Sequence, residues 1–527
     1  MKKIKILLII IFIIIVIVAI YFGINDFDNV EEQPQEISYK TVNMITSFKL
    51  GISNYDNIHP YVSNNREILY LDQLIFEPLL TITEDYNISN CLAKEWTKLD
   101  NKTYIIKLKE NVKWHNQKNF SSSDVKFSIE NLKSSKNSIY YENVKNIEKV
   151  EVVDNNTVRI ELSKEIPFFE YNLIFPIISK EQYKNTDFNN SNKIPVGTGL
   201  YKISKIEKDK IELIKNEEYR DIENSNANFK TISVNIYENM GQVYNAFKLG
   251  TIDFIHTSNT NLEQYIGTIG YGKKTYPNRE FDYISFNTES SILQFKEVRQ
   301  AINYIIDKDK LIATILEEQA LKSNVPLNDS NYLLEGVDFN TKPEIEKAKK
   351  TLEDAGWKYE YGIWQKEIDG ITKTINIDFS VLSQDEKRVK VAEEIKMQLE
   401  AIGIKIVIKK MTSTQYENSL KNKNYEMILT GVYTSLSPDL SSFLGENNLA
   451  NYKNEEIKSI SEELNSITDA VLRKEKYERI FEICSEELPY IGLYRNCDIV
   501  VFSSRLRGEV RPNCYNLYYN IVNWYIE

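Results

Sequence analysis

The chain has 527 residues, 42% of them apolar and 27% charged, with a formal charge of −11. That length allows two or three domains and a large core, and these fractions are ordinary for a soluble globular protein. The acidic balance, with no basic patch, argues against a nucleic-acid partner, whose binding needs clustered cations.

Ile6–Ile24 is an apolar run behind Lys2, Lys3 and Lys5. As a helix it spans about 28 Å, close to the thickness of a bilayer's hydrocarbon. No Ala-x-Ala pattern follows it, whereas Asp26, Asp28, Glu31, Glu32 and Glu36 do. The charge order predicts a cytoplasmic N-terminus, an uncleaved single-pass anchor over 1–24 and a polar tether over 25–40, with the bulk of the chain outside the cell.

Met44–Leu50 predicts an edge strand of a first sheet, and Gly51–Pro60 the loop after it. Leu71, Leu74, Ile75 and Leu79 predict a helix-to-loop segment stopped at Pro78, which lacks the N–H of a helix interior. A turn at Glu84–Asn87 and a short helix ending in Trp96 come next. The alternation of Thr103–Leu108 predicts a strand, followed by Val112–His115 and a turn. Ser121-x-x-Asp124 opens an amphipathic helix in the manner of a capping box. Val150–Val153 and Thr157–Leu162 form a hairpin around Asp154-Asn155-Asn156. Pro195–Tyr201 carries Gly197 and Gly199 but no phosphate-loop lysine, so the glycines are read as permitting a tight turn before the hairpin Lys202–Ile206 and Ile211–Lys215. A helix over Val243–Gly250 closes on a glycine cap, and Ile252–Phe254 predicts a buried strand.

Tyr276–Asn287 predicts a crossover into a second lobe. Helical spacing in Glu297–Leu316 is re-capped at Asp307, and Pro343 and Gly356 frame another helix. Asp369-Gly370 marks a hairpin. Ile375–Val381, a helix through Val389 and Ile402, and Ile404–Ile408 form a βαβ unit, hence parallel strands. After Met427–Phe443 the chain returns through Pro489–Tyr494.

Several short motifs recur here in a recognisable order: FEPL (76–79), LAKEW (92–96), YIIKLKENVKWH (104–115), SSDVKFSIENL (122–132), PVGTGLYKISKIEKDKIELIKNEEY (195–219), the Gly250-x-Ile-Asp253 ending, and VRQAINYIIDKDKLI (298–312). Together they resemble the family 5 extracellular solute-binding proteins of ABC importers, which carry oligopeptides, dipeptides or nickel. The resemblance covers about residues 40–527. It implies an α/β, two-lobed periplasmic-binding-protein fold of the large, three-subdomain kind, with a hinge and an interlobe ligand cleft. Lobe I is expected over 41–278, with a small subdomain about 98–183; lobe II over 279–488; and a C-terminal return to lobe I over 489–527. The lipid-modified cysteine usual after the signal in single-membrane bacteria is missing, since no Cys precedes Cys91.

The same resemblance places candidate ligand contacts. In peptide-binding members the stretch matching Gly431–Phe443 carries an aromatic, then an Asp that captures the peptide's ammonium group. Tyr433 stands at the aromatic position, beside Thr434 and Ser435, but Leu436 stands at the acidic one, and Asp439 belongs to a Pro-Asp element. Loss of the acid puts recognition of a free amino terminus in doubt. Asn64 and Asn65 fall near a ligand-contacting position, or simply form a solvated turn. Arg279 and Tyr283 stand at the first hinge; Arg279 is suited to a ligand carboxylate, or to a surface ion pair.

Catalysis has little to stand on. His59, His115 and His256 form no His-Glu-x-x-His or close ligand pair, and no Gly-x-Ser-x-Gly elbow occurs. Cys91, Cys484, Cys497 and Cys514 form no Cys-x-x-Cys pair, and a disulfide among the last three stays open. The expectation is a monomeric, non-enzymatic carrier without metal or cofactor, delivering a small solute, foremost an oligopeptide, to an ABC permease. A peptide-signal receptor on the same fold and a nickel-type chelate carrier are the alternatives.

Overall fold

The computed structural model of the chain describes residues 45–527 except 189–192, 222–224, 226, 260–261, 268–269 and 340–341. The expected anchor and tether lie outside the described residues; among these, no helix is long and apolar enough to cross a membrane.

One eleven-stranded sheet runs through the described residues. Its order is Lys405–Met411, Asn376–Leu382, Met427–Tyr433, Tyr271–Phe286, Tyr490–Ser503, Phe254–Thr257, Ser47–Ser53, Thr231–Tyr237, Lys210–Lys215 and Tyr201–Ile206, with Ala320–Lys322 pairing at the side of Tyr490–Ser503. Ser47–Ser53 is an interior strand, not the expected edge: it runs parallel to Thr231–Tyr237 on one side and meets Phe254 on the other. Both of its faces are covered over Leu50–Ile52, as an interior strand requires. Phe48, Leu50 and Ile52 are buried, and Gly51 leaves room for Ile252, whose Cδ1 would lie 2.3 Å from a Cβ there.

Ala93–Asp100, Thr103–Leu108, Thr157–Leu162 and Ile147–Asp154 form a separate antiparallel sheet in that order. Trp96 therefore lies in a strand rather than at the end of a helix. Ala, Lys and Glu favour helix locally, but pairing with Thr103–Leu108 overrides that propensity. The helix Ser122–Ser134 starts with the expected capping box: Ser121 N–H donates to Asp124 Oδ2 at 2.9 Å.

Motifs far apart in the chain lock together. Glu77 of FEPL accepts from both Arg220 nitrogens, at 2.5 and 2.6 Å, and from the Tyr219 hydroxyl at 2.9 Å. Gly197 and Gly199 work by close approach rather than by a special turn conformation. A Cβ on Gly197 would lie 1.8 Å from the Ile75 carbonyl oxygen, and Gly199 N–H donates to that oxygen at 2.9 Å. His115 ties the same strip: its Nδ1 accepts from Gly197 N–H at 3.2 Å and its Nε2 lies 3.0 Å from the Gly199 carbonyl. Burial pulls this imidazole down to about 4, so it is neutral, with the proton on Nε2.

Two strands cross between the lobes. Tyr271–Pro277 pairs with Ser503–Cys497 in lobe I, and Phe281–Ser285 pairs with Arg495–Tyr490 in lobe II. The register jumps between Pro277 and Phe281, so the second crossing falls at Arg495–Cys497, inside a continuous strand. Pro277 has no N–H to offer the ladder, and such an irregularity gives a long strand pair a place to bend. In lobe II the expected βαβ unit is present, with Asn376–Leu382 parallel to Lys405–Met411 around the helix Glu386–Glu400.

Each lobe has its own apolar core, and a third cluster spans them. Ile82, Tyr86, Phe168 and Tyr171 of lobe I pack with Val325, Leu327, Leu333, Tyr477 and Phe481 of lobe II. The lobes are thus in contact across their facing surfaces. All four cysteines are free, which removes the disulfide that the sequence left open.

Candidate functional site

The facing lobes leave a narrow crevice of about 10 Å³ at the hinge. Tyr86 and Cys514 form its lobe I wall, where the Tyr86 hydroxyl lies 3.1 Å from Cys514 Sγ. Arg279 and Arg495 come from the crossing strands, and Thr434–Ser437 from the loop that leaves Met427–Tyr433.

That loop is fixed by the first hinge residue. Thr434 N–H donates to the Arg279 carbonyl at 2.8 Å, and Arg279 Nε–H donates back to the Thr434 carbonyl at 2.6 Å. The Thr434 hydroxyl donates to the Arg279 carbonyl at 3.1 Å and accepts from Arg495 Nη1 at 3.0 Å. Arg279 stacks over the exposed Tyr433 ring at 4.6 Å, and Arg495 over Phe281 at 5.2 Å.

A second charged network adjoins it in lobe I. Arg66 pairs with Asp498 at 2.8 Å, and Asn278 reaches the other Asp498 oxygen at 3.5 Å. His256 meets Glu67 through Nδ1 at 2.7 Å and the Tyr276 hydroxyl through Nε2 at 3.0 Å. Burial alone would lower the His256 pKa, but Glu67 and Asp498 outweigh it and push it up to about 9. The imidazolium joins the lobe I helix Arg66–Ile75 to both crossing strands.

Of the residues expected at the site, Arg279, Thr434 and Ser435 line the crevice, and Tyr433 supports Arg279 from beneath. Leu436, at the family's acidic position, also lines it. Asp439 stands further along the loop and caps Ser441, whose N–H and hydroxyl both reach it at 2.9 Å. Tyr283 is buried among Phe281, Phe443 and Tyr490 in lobe II, outside the crevice lining. Asn65 caps Arg66–Ile75, accepting from Glu67 N–H at 3.0 Å, while Asn64 is exposed in the preceding turn.

Sequence reasoning passed over Arg495, Tyr86, Cys514 and the Arg66–Asp498–His256 network. One signal was available: Arg495 interrupts the apolar run from Tyr490 to Val501, and a cation inside a buried strand needs an explanation.

Residues 87–454 match the family described as bacterial extracellular solute-binding proteins, family 5 middle. The chain belongs to that family. It is 23% identical to the oligopeptide-binding protein AppA of Bacillus subtilis, over 86% of this chain and 87% of that protein. It is 25% identical to the nickel-binding periplasmic protein of Escherichia coli, over 66% and 67%. Among solved structures, the unliganded open form of the periplasmic murein tripeptide binding protein MppA shares the fold, with a TM-score of 0.78 and 17% identity, over 92% of this chain and 98% of that one. The two-lobed periplasmic-binding-protein architecture is thus common to this chain and its relatives. Family membership makes it an ABC-transporter solute-binding protein.

Proposed function

We propose that this chain captures an oligopeptide outside the cell, held at the outer face of the membrane by its N-terminal apolar run, and passes it to an ABC permease. The crevice carries this reading: both lobes and both crossing strands form its walls, so a ligand bound there favours closure over opening. At about 10 Å³ the crevice has room for little more than a water, far below the roughly 300–1,000 Å³ usual for small-ligand sites, so a peptide enters only as the lobes swing apart. The similarity to an oligopeptide-binding protein over most of both chains supports the ligand class. Arg279, Thr434 and Ser435 are the ligand contacts in this reading, with Tyr433 holding Arg279 in place. Leu436 in the lobe II loop leaves no acid there for an amino terminus.

Native mass spectrometry of the full chain, purified gently from its host, tests the assignment. Co-purifying masses that fragment as peptides support it and report ligand length. A ligand-free protein with no thermal shift against a diverse peptide library, or a bound mass carrying nickel, overturns the peptide assignment.

A further inference from the structure

Arg495 carries a charge that the fold satisfies on one edge only. The residue is 1% exposed, Nη1 donates to Thr434 Oγ1 at 3.0 Å, and Nε and Nη2 have no partner. A buried donor left unpaired is costly, the more so when it is charged. The acid acting on it is Asp329, but Asp329 Oδ1 accepts from the Ser323 hydroxyl at 3.1 Å, and no ion pair with Arg495 forms among the described residues. Burial, countered in part by Asp329, lowers the Arg495 pKa, as befits an under-compensated cation. Arg279 is a second guanidinium on the same crevice, and no carboxylate is among the residues lining it.

Nε and Nη2 share one edge of a guanidinium, and their two N–H vectors are spaced to meet both oxygens of one carboxylate. We propose that the crevice recognises its ligand by a carboxylate, received side-on by Arg495 Nε and Nη2 with Arg279 as the neighbouring cation. For an oligopeptide, the ligand class on which this inference rests, the group is the α-carboxylate of the last residue or an acidic side chain; a non-peptide acid presents the same chemistry. Thr434 then has a double role, since its hydroxyl aligns Arg495 while its backbone is clamped by Arg279.

The test compares affinities of the full chain for matched pentapeptide pools, by calorimetry. One pool has free C-termini and no acidic side chains, a second is amidated, and a third is amidated but contains Glu; citrate serves as the non-peptide acid. Free-acid peptides are expected to bind at least about tenfold more tightly than amidated ones, as loss of a desolvated charge partner implies. In Arg495→Gln that gap closes, while Arg495→Lys restores part of it. Rescue of amidated binding by Glu points to the side-chain source, and Arg495-dependent binding of citrate alone keeps the subsite while sinking the peptide reading. Equal binding of free-acid and amidated pools by the unmodified chain overturns the carboxylate subsite and leaves peptide binding intact. Absence of binding to every probe overturns both. The comparison within the unmodified chain holds even if Arg495→Gln fails to fold.

Discussion

The Arg473 guanidinium meets the Glu170 carboxylate across the lobe interface, with both side chains almost fully buried. Glu170 belongs to lobe I, beside Phe168 and Tyr171, whereas Arg473 lies on the lobe II helix Ala470–Glu487. A backbone bond reinforces the contact, Tyr332 N–H to the Asp85 carbonyl at 2.8 Å. Opening the hinge separates these groups.

Arg473→Met therefore removes a contact that only the closed arrangement makes. Breaking one side of a buried pair costs roughly 3–5 kcal/mol, charged here to the closed form. Small-angle scattering of the unliganded variant is expected to show a larger radius of gyration than the unmodified chain. An unchanged radius, with the same fold, would show that the pair does not govern closure.

The Glu77–Arg220 pair is internal to lobe I, and its loss should act on stability alone. Glu77→Gln leaves Arg220 buried without its charge partner, at a cost of roughly 3–5 kcal/mol. The thermal midpoint of the variant should fall by several degrees, while ligand affinity of the folded fraction stays within about twofold. A double change, Glu77→Gln with Arg220→Met, should recover part of the loss, because the stranded cation is then gone.

Gly197→Ala is a steric test. The new methyl would lie 1.8 Å from the Ile75 carbonyl oxygen, which is backbone and cannot move aside without shifting the end of Arg66–Ile75. The expected loss exceeds about 4 kcal/mol, at the extreme of single substitutions. Gly250→Ala is the control: its Cβ meets nothing within 4 Å, so only the strain of its φ of +70° is felt, about 1–2 kcal/mol.

The His256 cluster sets a pH dependence. The folded-state pKa of about 9 stands above the ordinary 6.5, so this stabilisation is complete below pH 6.5 and is lost as pH rises through 9. The span corresponds to at most roughly 3 kcal/mol. Lys308 opposes it: burial holds its amine down to about 7 from 10.5, so its contribution improves between those values. The diagnostic is thus the difference between the unmodified chain and His256→Gln in urea midpoints at pH 6, 7.5 and 9.5. The difference should be largest at pH 6 and shrink toward pH 9.5; a constant difference would place the His256 pKa outside that window.

Much of the local structure was legible from residue patterns. The capping box at Ser121, the restart at Asp307, the glycine stop after Met240–Lys248 and the βαβ unit of lobe II all appear where their signals predict. Such signals act within one turn or one hairpin, and no distant partner alters them. Trp96 and Ser47–Ser53 were misplaced because their states depend on neighbouring strands supplied by remote sequence. Of the crevice, Arg279 and Thr434 were visible at the crossover and loop motifs. Arg495, Tyr86 and Cys514 were not, because they come from three separate segments that only the tertiary fold brings together.

By itself the sequence determined the elements, their order and the family, since periodicity, caps and short motifs are properties of contiguous residues. Only the tertiary structure decided which charges face one another. Glu77 and Arg220 stand 143 positions apart, and Glu170 and Arg473 303 apart. The first pairing depends on burial within lobe I and the second on the approach of two lobes, neither of which a local pattern encodes. The half-satisfied edge of Arg495 belongs to the same class, for an unpaired donor becomes visible only when everything around it has been placed.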